Sequence, residues 1–114
     1  MARKKYIPKR GDIVWTNFDP AAGHEQMGKR PAIILSTASF NKKISLAMAV
    51  PITGRVRGHG FEVPLNTKQI KGVVLSQQVK MIDFVERGLQ FVEKAPEAVT
   101  NDVLARVRAI VSEE

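Results

Sequence analysis

The sequence contains no cysteine and only two histidines, His24 and His59, among its 114 residues. The absence of cysteine excludes disulfide bonds and thiolate zinc sites, and it permits a reducing cytoplasm. Two histidines are too few for an all-histidine metal cage, and no metal-ligand spacing accompanies them. The sequence therefore predicts neither a metal nor any other cofactor.

Long apolar runs are also lacking. No window approaches the roughly 18 apolar residues of a membrane-spanning helix. The basic stretch that ends at Arg10 has no apolar region behind it, as a secretory signal would. We therefore expect a cytoplasmic protein with no membrane partner, in which residues 1–9 form a loose basic arm. The length predicts a single domain over residues 1–114, with a real but modest core.

Acidic residues are scarce in the first half of the chain. Residues 1–60 contain 11 Lys/Arg against 3 Asp/Glu, a net charge of +8, whereas residues 61–114 contain 7 against 8, a net charge of −1. The whole chain carries a net charge of +7 and has a pI near 10.1. Such a positive field attracts polyanions, either nucleic acid or an acidic protein partner. Simple solubility is the other explanation of the charge.

Two predicted strands joined by a polar, glycine-bearing loop organise the chain. Gly11–Phe18 alternates in part, as a half-buried strand does, and Arg30–Ser36 is a branched apolar run opened by a proline. The loop and the start of the second strand supply a cluster of polar and charged side chains: His24, Glu25, Lys29 and Arg30. The spacing alone is compatible with an acid–base and phosphate site, and equally with ordinary solvated charges.

The rest of the chain is predicted as further short strands and one helix. Thr37–Lys43 is polar and turn-like, and Gly54–Gly60 is a cationic loop, either a simple connection or a flap that contacts phosphate. Apolar residues recur at helical spacing after Pro96, which predicts an amphipathic helix at about Glu97–Ser112. Strands are predicted at Ile44–Ile52, Phe61–Leu65, Gly72–Ser76 with a continuation as strand or bulge through Lys80, and Arg87–Lys94.

About five to seven short strands followed by one helix predict a mainly β fold. We interpret it as a small SH3-like curled β-barrel with a C-terminal helix. The periodicity alone also allows an OB-like barrel.

Four blocks of the sequence resemble, in order, the MazF/PemK (ChpB-like) family of endoribonuclease toxins from type II toxin–antitoxin systems. They are GDIVWTNFDP from Gly11, GHEQMGKRPAIILS from Gly23, AVPIT from Ala49 and GVVLSQQVKMID from Gly72. The resemblance implies the SH3-like fold and a homodimer. It also implies a metal-independent, sequence-selective endoribonuclease that cleaves single-stranded mRNA to a 2′,3′-cyclic phosphate and a 5′-hydroxyl. A cognate antitoxin with an acidic flexible segment would neutralise the toxin and so restore translation and growth.

The resemblance assigns the catalytic residues Glu25, Arg30 and Thr53. Glu25 fits a general base for the 2′-hydroxyl, because an ionised carboxylate accepts a proton at neutral pH. The fork of Arg30 matches the oxygens of a phosphate, and Thr53 would hydrogen-bond a non-bridging oxygen or simply cap a turn. The general acid is not assigned. Some relatives place a histidine directly before the arginine, where this chain has Lys29. Here the neighbouring histidine is His24, which lies earlier in the loop, and its role as the acid stays open.

The predicted RNA contacts extend beyond these three residues. Gln77, Gln78 and Lys80 form an amide–cation cluster that suits base edges and a phosphate, although a polar strand end would look the same. The predicted RNA-binding set is Asp19, His24, Lys29, Arg55, Arg57, Gln77, Gln78 and Lys80. Two other classes of function remain as alternatives: a non-catalytic RNA-binding barrel, and an interaction module whose cationic groove takes an acidic peptide.

Overall fold

The computed structural model describes residues 6–112, which form seven strands, three α-helices and one 3₁₀ turn. The strands are β1 (Asp12–Asn17), β2 (Lys29–Ile34), β3 (Ala47–Thr53), β4 (Glu62–Asn66), β5 (Lys71–Leu75), β6 (Lys80–Ile82) and β7 (Gln90–Lys94). The helices are α1 (Ala38–Ile44), α2 (Phe84–Arg87) and α3 (Glu97–Val111), and the 3₁₀ turn is Ser76–Gln78.

Six of the strands form one antiparallel path in the order β4-β5-β3-β2-β1-β7. The long strand β3 continues this path at one end by pairing with β5, and at its other end it pairs with β6. The sheet therefore curls around β3 into a half-barrel, and the predicted mainly β fold with a C-terminal helix is confirmed.

Apolar side chains cover both faces of the central strands. Ile13 and Ile33 lie in the larger cluster, which α3 closes through Val103. Val14 and Ile34 lie in a second cluster on the opposite face, together with the buried start of α2. Alternate residues of one strand thus enter different cores, as the twofold periodicity of a strand requires. Both cores fix the middle of β1 and β2, so the ends of these strands are held rigidly.

The segment Thr37–Lys43 is a helix rather than the predicted turn. Thr37 is the N-cap of α1, and its Oγ1 accepts the backbone N–H of Phe40 at 3.3 Å. The helix ends at Ser45, which adopts a left-handed conformation with φ of 64°. The third strand consequently begins at Ala47, not at Ile44. A polar helix of seven residues has too little apolar periodicity to be predicted from pattern alone.

The chain after β5 also differs from the prediction. Ser76–Gln78 form a 3₁₀ turn instead of a continuing strand, and β6 follows. The short helix α2 was not predicted; Asp83 caps it by accepting the backbone N–H groups of Val85 and Glu86, both at 3.1 Å. The predicted C-terminal helix is confirmed and ends one residue early, at Val111.

Tyr6–Lys9 is held by hydrogen bonds and is not part of a loose arm. The Tyr6 hydroxyl donates to the Asp12 carboxylate at 2.5 Å, and the backbone N–H of Lys9 donates to the same oxygen at 3.0 Å. The Asn41 amide donates to the carbonyl of Pro8 at 2.8 Å. The rest of the predicted arm, residues 1–5, lies outside the described residues. None of the helices within residues 6–112 is long and apolar enough to cross a membrane.

Candidate functional site

An open cleft of about 480 Å³ lies where the β1–β2 loop, the cationic loop Gly54–Gly60 and the 3₁₀ turn meet. All three predicted catalytic residues line it. Five of the predicted RNA-binding residues line it as well. The eight predicted residues in the cleft are His24, Glu25, Arg30, Thr53, Arg55, Arg57, Gln77 and Gln78.

The sheet register brings Arg30 and Thr53 to the same place. β2 and β3 are antiparallel, with Ala32 opposite Pro51. Two residues further along each strand, the same register leads to Arg30 and Thr53. Residues two apart in a strand share a face, so both side chains point into the cleft. The two ends of the strand pair thus supply a cation and a hydroxyl to one site.

The guanidinium of Arg30 is oriented by its own loop. Its Nε donates to the carbonyl of Met27 at 2.8 Å. Among residues 6–112, no hydrogen bond occupies its two terminal nitrogens, and the contact is exposed. A guanidinium held at Nε presents the rest of its fork in a fixed direction, which suits two oxygens of a phosphate.

Thr53 is buried, with only 7% of its surface exposed, at the end of β3. Its Oγ1 accepts the backbone N–H of Arg55 at 3.2 Å. A hydroxyl that accepts one hydrogen bond still has its own proton to donate. Thr53 therefore caps the turn after β3, as one interpretation expected, and keeps a donor for a phosphate oxygen in the cleft.

Glu25 lies at the tip of the β1–β2 loop, where it is exposed at the cleft. Its Oε1 accepts the backbone N–H of Ala22 at 2.6 Å, and the hydrogen bonds of residues 6–112 include none to its other oxygen. A carboxylate with one oxygen held and one free is suited to accept a proton from a bound group.

The amide of Gln78 holds the two peptide groups on either side of Glu25. Its Oε1 accepts the backbone N–H of Gln26 at 2.7 Å, and its Nε2 donates to the carbonyl of His24 at 3.2 Å. Both ends of the predicted base-reading amide are thus engaged with the β1–β2 loop. In this structure Gln78 supports the loop, whereas Gln77 lies 3.3 Å from His59, Nε2 to Nε2, at the opposite wall.

Three predicted RNA-binding residues lie outside the cleft. Lys29 neighbours Arg30 in β2 and therefore points to the other face, where it lines a separate depression with Arg87. Asp19 accepts the backbone N–H of Gly28 at 3.0 Å and closes the loop on itself. Lys80 lines a separate depression with Glu25, Gln77 and Gln78, and its Nζ lies 3.5 Å from the carbonyl of Pro20. The structure thus does not bring these three together with Arg30 and Thr53.

Glu62 was not singled out from the sequence, yet it lies directly beneath the cationic loop. Its side chain is only 3% exposed. Desolvation by burial raises the pKa of Glu62, but hydrogen bonds from the backbone N–H groups of Gly58 and Arg57, together with the nearby His59 and Arg57 side chains, outweigh this effect. The pKa therefore lies below its ordinary value, and Glu62 is ionised at neutral pH. The sequence offered only a carboxylate within the predicted strand Phe61–Leu65, and that position alone does not show what the carboxylate binds.

The cleft has a strongly cationic rim. Arg30, Arg55 and Arg57 line it, and Glu25 is the exposed carboxylate among its lining residues. Within the described residues, no three His, Cys, Asp or Glu side chains cluster as ligands for a metal ion. The arrangement can bind a polyanion through guanidinium groups, and it offers a hydroxyl donor and a carboxylate acceptor at the same point.

A family described as the PemK-like, MazF-like toxin of type II toxin–antitoxin systems matches residues 9–111 of this chain. The endoribonuclease toxin MazF of Escherichia coli (strain K12) is 43% identical over 84 residues, which cover 74% of this chain and 76% of that protein. The endoribonuclease PemK of Escherichia coli is 38% identical over 117 residues, covering 98% and 88%. The endoribonuclease toxin ChpB of Escherichia coli (strain K12) is 41% identical over 114 residues, covering 95% and 97%.

Solved structures show the same similarity. The crystal structure of MazF (Form-I) from Deinococcus radiodurans matches with a TM-score of 0.89 at 38% identity, over 94% of this chain and 98% of that one. The crystal structure of MazE–MazF (Form-III) from the same organism matches with a TM-score of 0.84 at 34% identity, over 96% and 100%.

Proposed function

The chain belongs to the PemK-like, MazF-like family of toxins from type II toxin–antitoxin systems and is an endoribonuclease, and we propose that its active site is the cleft of Arg30 and Thr53. The predicted family and enzyme class are thereby confirmed. We further propose that residues 1–114 act as one toxin domain in the cytoplasm. The substrate of the toxin is single-stranded mRNA. Cleavage of the mRNA stops translation and growth.

The observation that carries the assignment of the site is the convergence of Glu25, Arg30 and Thr53 in one cationic cleft. Glu25 takes the proton from the 2′-hydroxyl, and the 2′-oxygen attacks the adjacent phosphorus. The bond from phosphorus to the 5′-oxygen breaks, which leaves a 2′,3′-cyclic phosphate on one product. The 5′-oxygen leaves as a hydroxyl after it receives a proton. His24 lines the cleft and is the candidate for that acid.

Arg30 and Thr53 act on the phosphate rather than on the proton transfers. Negative charge grows on the non-bridging oxygens as the phosphorane forms, and preorganised donors aimed at those oxygens lower the barrier. Arg55, Arg57 and Gln77 contact the RNA on either side of the scissile bond, and Gln78 keeps Glu25 in place. No step of this mechanism requires a metal ion.

The test of the proposed function is cleavage of a mixed RNA pool by the purified protein in the presence of EDTA. We expect cuts at a short recurring sequence, which sequencing of the cleaved ends would reveal. The Arg30→Ala protein, purified in the same way, controls for contaminating ribonuclease. Salt-sensitive binding of the pool without any cleavage would instead support a non-catalytic RNA-binding barrel. No binding would favour the acidic-peptide module.

We propose that a cognate antitoxin inhibits the toxin by occluding this cleft. A chain in a solved MazE–MazF structure is similar to 96% of this chain. The partner would present a flexible acidic segment, whose carboxylates take the places of RNA phosphates at Arg30, Arg55 and Arg57. We expect this segment and a non-cleavable RNA to compete for one site, with an affinity that weakens as salt rises. Simultaneous binding in a fluorescence-anisotropy competition would contradict occlusion.

We also propose that the toxin is a symmetric homodimer. Several large apolar side chains are exposed in the single chain, including Val56 at 65%, Val85 at 55% and Val111 at 82%. A homodimer interface would bury apolar side chains of this kind. Light scattering at micromolar concentration is expected to give twice the mass of the chain, and a mass of one chain throughout would contradict the dimer.

A further inference from the structure

Glu62 is a buried carboxylate with no place in the mechanism above. It opens β4, opposite Leu75 of β5, and its side chain is 3% exposed. Burial of an ionised carboxylate is unfavourable unless hydrogen bonds or opposite charges compensate it. The groups that form hydrogen bonds or ion pairs with the Glu62 carboxylate therefore indicate its role.

The partners of Glu62 all belong to the cationic loop. The backbone N–H of Arg57 donates to both carboxylate oxygens, at 3.2 and 3.0 Å, and the N–H of Gly58 donates to Oε1 at 2.7 Å. His59 Nε2 lies 3.6 Å from Oε2. One carboxylate thus holds three consecutive residues of the loop. Gly58 has a φ of 88°, so the loop turns at this point in a conformation that favours glycine.

The loop has little else to fix its middle. It contains three glycines, Gly54, Gly58 and Gly60, and its arginine side chains point into an open cleft. Its first end is tied by the hydrogen bond from the Arg55 N–H to Thr53, and its last end by Arg106, whose Nε donates to the carbonyl of Gly60 at 2.7 Å. Between these ends, His59 is also held by the backbone N–H of Glu62, which donates to its carbonyl at 3.2 Å, and by Gln77 at 3.3 Å. Arg57 and Gly58, by contrast, are held through their N–H groups by the Glu62 carboxylate.

We propose that Glu62 is a positioning residue that holds Arg55 and Arg57 at the rim of the cleft in the arrangement that binds RNA. Glu62 itself touches no RNA, because it lies beneath the loop. The inference rests on the proposed function of the cleft. A loop that is ordered before RNA arrives loses less conformational entropy on binding, so its cations bind more tightly. Arg30 and Thr53 lie in β2 and β3, and the hydrogen bonds described above for them do not involve Arg57, Gly58 or His59, the residues that Glu62 holds.

The effect of Glu62 should therefore appear in substrate binding and not in the chemical step. Glu62→Gln keeps the shape of the side chain but replaces one acceptor oxygen with a donor, which opposes the N–H groups of the loop. We expect it to raise KM for a short RNA by about tenfold and to leave kcat within about twofold, the pattern of lost uniform binding. Glu62→Asp keeps the charge and is expected to recover part of the loss.

The matched control is Glu93→Gln. Glu93 accepts a hydrogen bond from the Thr67 hydroxyl at 2.8 Å and is not among the residues that line the cleft, so the same chemical change there should alter neither KM nor kcat. Melting temperatures of all variants separate loss of fold from loss of binding. If Glu62→Gln does not fold, the KM of Glu62→Asp is measured instead. We expect it to exceed the wild-type KM by less than the tenfold rise predicted for Glu62→Gln.

A variant with Arg55→Ala and Arg57→Ala shows whether Glu62 acts through these arginines. Both substitutions keep the backbone N–H groups that Glu62 binds. Adding Glu62→Gln to this variant is expected to change RNA affinity no further, whereas independent effects would add. Affinity is measured with RNA that carries a 2′-deoxynucleotide at the cleavage site, so this arm needs no cleavage.

The outcomes distinguish the inference from the proposed function. A folded Glu62→Gln protein with unchanged KM, or with additive effects in the arginine variant, overturns the positioning role while cleavage by the wild type stands. A wild type that binds the 2′-deoxy RNA through this loop without cleaving normal RNA overturns the proposed reaction and leaves the positioning role supported. If the wild type neither binds the 2′-deoxy RNA nor cleaves normal RNA, both the positioning role and the proposed reaction are overturned.

Discussion

Arg30→Ala is expected to lower the single-turnover rate of RNA cleavage by about two to three powers of ten, or roughly 3–4 kcal/mol in the barrier. The charge on the phosphoryl oxygens is greater in the transition state than in the bound substrate, so a guanidinium there lowers the barrier more than it tightens binding. Arg30→Lys should restore little activity, because an ammonium cannot reproduce the planar fork. Thr53→Ala should cost less, since it removes one neutral hydrogen bond.

Lys29→Ala is the matched control for Arg30→Ala. It removes one positive charge from the neighbouring position of β2, but its side chain lies on the opposite face of the strand. We expect it to keep nearly the full cleavage rate. Arg30 lies at the end of β2, is partly exposed and makes one hydrogen bond to its own loop, so Arg30→Ala should melt normally. A normally melting Arg30→Ala protein that still cleaves at the wild-type rate would contradict the assignment of the arginine.

Replacement of the 2′-hydroxyl by hydrogen at the scissile nucleotide is expected to abolish cleavage at that position. In the proposed reaction this hydroxyl is the nucleophile, so no other group in the RNA can take its place. The same replacement one nucleotide to either side should leave the rate within a few-fold, because it alters only contacts. The measurement is gel-based cleavage of three synthetic RNAs that differ in one oxygen atom. Cleavage of the scissile-site analogue at an undiminished rate would show that an external nucleophile, such as water, is used.

The strands and the long helix were predictable because each one repeats a pattern. β1 and β2 carry apolar residues into cores on both faces, and α3 has an apolar residue at nearly every turn. The helices α1 and α2 contain seven and four residues, too few for a periodic signal, and they begin instead at the capping side chains of Thr37 and Asp83. Thr37 was predicted to lie in a turn-like segment, and no element was predicted to start at Asp83.

The candidate site was predictable in its residue types but not in its arrangement. The family resemblance supplied Glu25, Arg30 and Thr53, yet the register that unites the last two depends on how β2 and β3 pair, and no local pattern encodes that pairing. The twofold alternation in β2 does separate Lys29 from Arg30, and the prediction placed both at the site because it assigned Lys29 to the loop.

Supporting roles were the least visible in the sequence. The amide of Gln78 was interpreted as a free base reader, but it binds the peptide groups of a loop more than fifty residues earlier in the chain. Glu62 is likewise an ordinary charged residue at the start of a strand until the fold places the cationic loop over it. Such contacts between distant segments arise only from tertiary structure, and they hold the two walls of the cleft.

The most direct test of the central claim is mass spectrometry of the end groups that the purified wild-type protein leaves on a short RNA in EDTA. Attack by the 2′-hydroxyl in the cleft of Arg30, without a metal ion, predicts a 2′,3′-cyclic phosphate on the upstream product and a 5′-hydroxyl on the downstream one. The Arg30→Ala protein should give neither product in the same time. A 3′-hydroxyl with a 5′-phosphate, or activity that disappears with EDTA, would contradict the account.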